Sequence, residues 1–548
     1  MRADRATQAC VIVVRGWLAA DAHRWLFPLG IVALLALCAA HTPSDADWDL
    51  RNYHVYNAHA LITGRFWTDI APAQLQTFYV PFMDIAVGAI RDRLDATPVL
   101  RNVVLSLPQG IAAALAFVLT LRIVPTALPG RRLLALLATL FSAAGAAGLP
   151  TLASAMSDML PGAFMLGGLL LLTGETPGAS PAGATRSATL AGLAFGVAAG
   201  LKLTCMPYCL AAGAALLAVP PRPPAKRLAL LAAFGLAGIV AAAVIGGPWW
   251  LTMYRHFGNP VLPYLNQVFG SPFVPLRSFT DTRFLPRDLG MALAYPFYWA
   301  THARALVSEL PVRDPRFAVA YIALGAIAVQ TFRRRSTAMR DGRVVPMLAV
   351  FFAVTFVLWE MQFSVLRYLA TLELLTGAVV LAALRPLLER PGIRLPVVLG
   401  FATLCVAVQA MTIYPDWGRM QGVLPMRASL PTPVEPDAVV VLLDGAPMAY
   451  LSDLLPRSAR LVGANNNLVQ PGSSGLLAQW AAMAIRNQAG PLYGLEDPTE
   501  APGAADQALA YYGLRRGRCA PVQSNLDNNA VHLCRLWPRG SLPLEHGE

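Results

Sequence analysis

The chain is punctuated by apolar runs, each approaching the roughly 20 residues that a helix needs to cross a bilayer. They fall near 25–40, 102–120, 132–149, 159–173, 188–203, 204–219, 228–250, 316–332, 344–360, 368–385 and 395–412. Backbone in hydrocarbon must satisfy its own hydrogen bonds, so runs of this length and number restrict the chain to a bundle of helices. The pattern predicts an α-helical polytopic membrane protein with about eleven transmembrane helices. Composition agrees: 56% of the 548 residues are hydrophobic and 14% charged, against about 25% charged in soluble domains.

Arginine placement orients the bundle. Arg2, Arg5, Arg15 and Arg24 precede the first run, which lacks a small-residue cleavage site and reads as a retained anchor with its start inside. "RIVPTALPGRR" (121–131), "PPRPPAKR" (220–227), "RRRSTAMRDGR" (333–343) and "RPLLERPGIR" (385–394) then also fall inside, as arginine-rich loops do. This parity requires "LGMALAYPFYWATHARALVSEL" (289–310) to lie on the surface or re-enter rather than span. Two long loops, about 41–100 and 251–315, face outside, together with everything after residue 412. The expected organisation is a membrane domain over 1–412 and a second domain over 413–548, in a bacterial inner (cytoplasmic) membrane with the second domain periplasmic.

The net charge of +12 comes almost entirely from arginine, since Lys202 and Lys226 are the sole lysines. Positive inner loops account for it without a nucleic-acid partner. Cys38, Cys205, Cys209 and Cys405 lie in apolar runs and Cys10 in the N-terminal tail. Cys519 and Cys534 are the one pair in polar sequence and are expected to form a disulfide in an oxidising compartment. Around them, a strand "AVVVLLD" (438–444), helical segments near 447–455, 474–488 and 503–512, and a closing strand pair predict a small α/β domain.

The most unusual polar stretch, "SDADWDLRNYHVYNA" (44–58), follows directly on the first apolar run. Asp45 suits a capping role at the start of a helix, while Asp47 and Asp49 stand closer to its body. At helical spacing Asp49, Tyr53 and Tyr56 share one face, with Asn52 to the side. Asp158 heads another run, where a lone aspartate usually caps a helix. Lys202, in "GVAAGLKLTCMP", is costly unless its ammonium reaches water or meets an anion. Arg367 opens a late run in "FSVLRYLATLELL". The topology puts these two carboxylates and two cations at one membrane face.

In the second loop, the aromatics of "GGPWWLTMYRHFGNPVLPYLNQVFGSPF" (246–273) serve equally as an interfacial belt or as sugar contacts. Arg255 and Asn259 are the polar groups there with most to explain. Asp281 with Arg283, and Asp314 with Arg316, read as loop salt bridges. His54 and His59 lack zinc-helix spacing, and no Walker loop, dinucleotide fingerprint or serine-nucleophile elbow is present.

The order of these landmarks resembles the GT-C superfamily of polytopic membrane glycosyltransferases, among them aminoarabinose transferases and protein O-mannosyltransferases. Asp49, Tyr53 and Gly64 fit its first loop, and "YVPFM" (79–83) resembles the stretch that follows. Asp158 matches an outer-face aspartate heading a span, "GLAFGVAAGLK" the glycines leading to Lys202, and Arg367–Tyr368 the arginine-tyrosine pair of a late span. Leu50 stands where relatives carry a second acid after the loop aspartate. The likeness covers roughly 25–385 and leaves the terminal domain without an inherited role.

The resemblance implies a hexosyl- or pentosyltransferase that takes its sugar from a polyprenyl-phosphate donor and gives it to an envelope lipid, glycan or protein. Asp49 becomes the expected base, with Asp47 the second choice, and Asp158 orients the acceptor. Lys202, Arg367 and Arg255 become donor-phosphate ligands, and Tyr53, Tyr56, Asn52, Asn259 and Tyr368 line the acceptor or sugar site. No cofactor is assigned; a divalent cation on Asp49 and Asp158 is left open. The alternatives are a transporter or flippase of lipid-linked saccharides, for which no inverted repeat is evident, and a non-catalytic envelope-assembly protein.

Overall fold

The computed structural model describes residues 25–174, 180–218, 223–333, 343–500 and 502–540. Cys10, the four N-terminal arginines and most of the arginine-rich 333–343 segment lie outside the described residues. Each apolar run contains a helix: Leu26–His41, Pro98–Ile123, Arg131–Ala143, Met159–Thr173, Pro181–Leu201, Met206–Ala218, Pro224–Ile245, Arg316–Arg333, Val344–Gln362, Thr376–Leu388 and Arg394–Met411, although the run 132–149 outlasts its helix and the run 368–385 is broken before Thr376. Prolines open several of them at the first turn, where the missing N–H costs nothing.

Among the described residues, four helices are long and apolar enough to cross a membrane, or five counting Leu366–Glu373 with Thr376–Leu388, a pair bent by 46°. Leu26–His41, Met159–Thr173 and Leu203–Ala218 are apolar but shorter. The chain is therefore a helical, multi-pass membrane protein. Residues 289–310 form two short helices, Leu289–Leu293 and Tyr295–Thr301, neither of which is long enough to span.

Small residues set the closest helix packing. Helix Pro181–Leu201 lies against Pro224–Ile245 so tightly that a Cβ at Gly192 or Gly196 would strike the backbone of Phe234 or Gly238. Lipid offers no hydrophobic drive for helix association, so such close van der Waals approach carries the pairing.

After residue 412 the chain forms a five-stranded sheet from β2 (Val439–Leu442), β3 (Arg460–Gly463), β4 (Leu492–Glu496), β5 (Leu514–Pro521) and β7 (His532–Pro538), in the order β3-β2-β4-β7-β5. β2 runs parallel to β3 and β4, while β7 is antiparallel to β4 and β5. β1 (Ala428–Ser429) and β6 (Gln523–Ser524) make a separate short pair. Cys519 and Cys534 face each other across β5 and β7 and are disulfide-bonded.

The first long loop is built into this sheet. Ile70 donates to the Leu461 carbonyl at 2.9 Å and accepts from Gly463 N at 2.8 Å, extending the sheet beyond β3. Asp69 accepts from Leu461 N at 2.9 Å, and Arg65 donates to the carbonyls of Pro456 and Ala459. Leu50, Tyr56, Phe66 and Phe78 of the first loop, Trp249 and Phe257 of the second, and the strands share one apolar core. The loops are thereby packed onto the sheet.

Candidate active site

The aspartates of the opening polar stretch divide the work. Asp45 accepts from Asp47 N at 3.2 Å and Ala155 N at 2.6 Å, which ties the turn to the loop before Met159. Asp47 accepts from Leu50 N at 2.7 Å, a capping bond at the helix start. Burial, reinforced by the negative charge of Asp45 and Asp49, pushes the Asp47 carboxyl well above the usual carboxylate range. A carboxyl whose ionised form burial disfavours, and which holds backbone, suits the base role expected for it less well than Asp49 does.

Asp49 makes no capping bond; its carboxylate instead pairs with the Arg367 guanidinium and accepts from the Tyr53 hydroxyl at 3.3 Å. Arg367 Nε lies 3.7 Å from Asp158 Oδ2, and Asp158 Oδ1 pairs with Lys202 Nζ. The Asp158 side chain caps no helix either, against the usual role of an aspartate at that position. Asp49, Arg367, Asp158 and Lys202 thus form one chain of alternating charge, largely buried.

Each member sits at a helix end, so separate helices deliver the four charges to one level. Two approach through left-handed non-glycine residues, Ser157 (φ 51°) before Asp158 and Ser364 (φ 52°) before Arg367. Such conformations cost about 1–3 kcal/mol each and persist where surrounding structure enforces them. Burial by itself raises the Asp49 carboxyl, but the charges of Arg367, His54 and Lys202 outweigh it and hold the group below its ordinary value.

Aromatic rings wall the ion chain. Tyr368 lies 5.7 Å from Lys202 Nζ and 5.5 Å from Arg367 Cζ, with its carbonyl fixed by the Tyr208 hydroxyl at 2.7 Å. Tyr53 packs edge-on against Tyr79 at 5.6 Å, and Tyr79 stacks on Tyr264 with hydroxyls 2.6 Å apart. Behind Asp49, His54 Nδ1 meets Asp84 Oδ1 at 2.6 Å, and Asn57 donates to the other Asp84 oxygen at 3.3 Å. His54 Nε2 is buried without a partner among the described residues. Sequence reasoning missed Tyr79, Tyr264, His54 and Asp84 as site residues; Tyr79 was visible only within "YVPFM".

Four expected site residues go elsewhere. Residues Leu50–His54 form a π-helical turn, whose i→i+5 bonding throws later side chains out of α-helical register. Tyr56 is consequently fully buried away from Asp49 and donates to Asp69 at 3.3 Å. Asn52 donates to the Ala73 carbonyl, and Asn259 braces its own loop through the Tyr264 carbonyl and Val261 N. Arg255 is exposed on helix Gly247–Phe257, and no ion pair among the described residues joins it to the cluster.

Asp281 and Arg283 form the exposed loop pair the sequence implies. Asp314 and Arg316 are instead wholly buried, and Glu373, unremarked in the sequence, accepts from Ala147 N and Gly148 N beside them.

A divalent cation does not suit the donor set at the candidate site. Asp49 and Asp158 already face a guanidinium and an ammonium, so two negative charges meet two positive ones and no surplus anion remains for a metal.

No family model matches the chain, and no curated protein matches it. Among solved structures, the crystal structure of ArnT from Cupriavidus metallidurans bound to undecaprenyl phosphate is similar over 94% of this chain and 98% of that one, at 14% identity and a TM-score of 0.49. The apo structure of the same protein covers the same shares at 16% identity and a TM-score of 0.38.

Proposed function

We propose that the chain is a GT-C-type membrane glycosyltransferase that moves a sugar from a polyprenyl-phosphate donor to an envelope acceptor. The observation that carries this reading is the largely buried alternation Asp49–Arg367–Asp158–Lys202. Two cations at helix ends suit a phosphate brought by a lipid, and a carboxylate bonded to one of them suits a base used only when that phosphate is present. The active face is the periplasmic one, with about eleven spans bringing the C-terminal region there; the disulfide supports an oxidising compartment.

In the mechanism, the donor phosphate competes with Asp49 for Arg367 and with Asp158 for Lys202. Losing its guanidinium raises the Asp49 pKa, so the carboxylate becomes a stronger base as the donor arrives. The acceptor hydroxyl gives its proton to Asp49 while its oxygen bonds to the anomeric carbon. The bond from that carbon to the phosphate oxygen breaks, and the electron pair leaves on the carrier phosphate, where Arg367 and Lys202 stabilise the added charge. Asp158 orients the acceptor, Tyr53 steadies Asp49, and the Tyr79–Tyr264 stack and Tyr368 offer ring faces to the sugar.

The test is incubation of the purified protein, without ATP, with a polyprenyl-phosphate sugar and an envelope extract. Release of carrier phosphate with a sugar-bearing product supports transfer; transbilayer movement of an intact donor supports the flippase alternative.

A further inference from the structure

Away from the ion chain, a cavity of about 720 Å³ opens between the first loop, the end of helix Gly247–Phe257 and the C-terminal sheet. None of Asp49, Asp158, Lys202 or Arg367 lines it. Its walls include two indoles that remain unusually open, Trp67 at 51% exposed and Trp480 at 40%. Both rest against neighbouring rings. Phe66 packs edge-on against Trp67 at 4.9 Å with His256 at 4.4 Å, and Phe273 packs edge-on against Trp480 at 5.1 Å.

The same cavity is lined by Asp437, Arg460 and Asn487, an acid, a cation and an amide. All three are exposed, and among the described residues their side chains make no hydrogen bond or ion pair. Burying a hydrocarbon chain here would strip water from these groups and give nothing back. A sugar ring matches both features: its C–H face lies on an indole, and its hydroxyls donate to a carboxylate and accept from a guanidinium or amide. The volume falls within the roughly 300–1,000 Å³ of small-molecule sites, room for a short oligosaccharide.

We infer that this cavity is a saccharide-binding subsite, stacking sugar rings on Trp67 and Trp480 and hydrogen-bonding them through Asp437, Arg460 and Asn487. It gives the C-terminal region a task of its own, gripping a glycan at a distance from the reacting bond. The inference extends the transferase reading, in that the glycan held is the acceptor or its product, but binding is measurable without turnover.

The experiment applies full-length protein in nanodiscs to a printed array of bacterial envelope oligosaccharides. Wild type and Asp49→Asn bind at least one glycan, while Trp67→Ala with Trp480→Ala lowers affinity at least about tenfold, the scale of lost ring stacking. Arg460→Gln with Asn487→Ala, both at exposed positions, gives the same loss with the indoles intact. Wild type that binds no glycan on the array, or binding unchanged in both double variants, overturns the inference. Glycan binding by a protein that shows no transfer overturns the transferase reading and leaves the subsite standing.

Discussion

Asp49 and Arg367 lie 318 positions apart and meet as a partly buried ion pair at the junction of the first loop with a late helix. The pair keeps a carboxylate charged in a site where burial opposes charge. It also makes the carboxylate a weak base until something else takes the guanidinium. In the proposed cycle that something is the donor phosphate, which couples donor binding to acceptor activation.

Arg367→Gln is expected to lower kcat/KM for the donor about ten- to hundredfold, because a charge-assisted bond to phosphate is worth about 1.5–3 kcal/mol. Arg367→Lys restores part of the loss, since a point charge replaces a fork. Steady-state kinetics against donor concentration checks this; equal kinetics for wild type and Arg367→Gln contradicts it.

His54 is one of the charges that hold the Asp49 carboxyl down. Replacing it by Asn removes that charge, so the acid limb of the pH–rate profile moves to higher pH. A pH profile of kcat/KM reads the shift directly, and a purely structural role for His54 would lower activity without moving the limb.

The four charged residues were legible because each ends or begins an apolar run, where sidedness alone brings them to one face. His54–Asp84 and Tyr79–Tyr264 join residues 30 and 185 positions apart, and nothing in local pattern announces such contacts. Tyr56 misled because an α-helical period was assumed across residues that form a π turn. β3 and β4 escaped notice because strands of four and five residues carry little periodicity, whereas the apolar β2 and the cysteine-bearing pair stood out. Glu373 was hidden inside an apolar run, where its backbone partners come from a helix end 225 positions away.

The Asp314–Arg316 pair is fully buried, and Arg316 also donates to the Phe141 carbonyl at 2.7 Å. Removing one partner of such a pair strands the other and typically costs about 3–5 kcal/mol. Arg316→Met therefore destabilises the protein by that order, and adding Asp314→Asn recovers part of it. Thermal unfolding in detergent measures both; additive losses contradict the pairing.

Burial pushes the Asp444 carboxyl up to about 6, although the N–H groups of Ala446 and Asp497 pull it down. Its unfolded value is about 3.9. The protonated form is therefore favoured by folding, and its contribution is complete below about pH 3.9 and lost as pH rises through about 6. Relative to wild type, Asp444→Asn should gain on the order of 2–3 kcal/mol of stability between pH 4 and 7. Unfolding curves for the two proteins across that range decide it, and a difference that stays constant with pH contradicts the shift.

In the proposed reaction Asp49 accepts the acceptor proton during transfer from a polyprenyl-phosphate sugar. Turnover of that donor by wild type and Asp49→Asn, both confirmed as folded in membranes, tests it most directly. Wild type is expected to release carrier phosphate and the variant none above background, with donor still bound by Arg367 and Lys202. Turnover by Asp49→Asn close to the wild-type rate would contradict it.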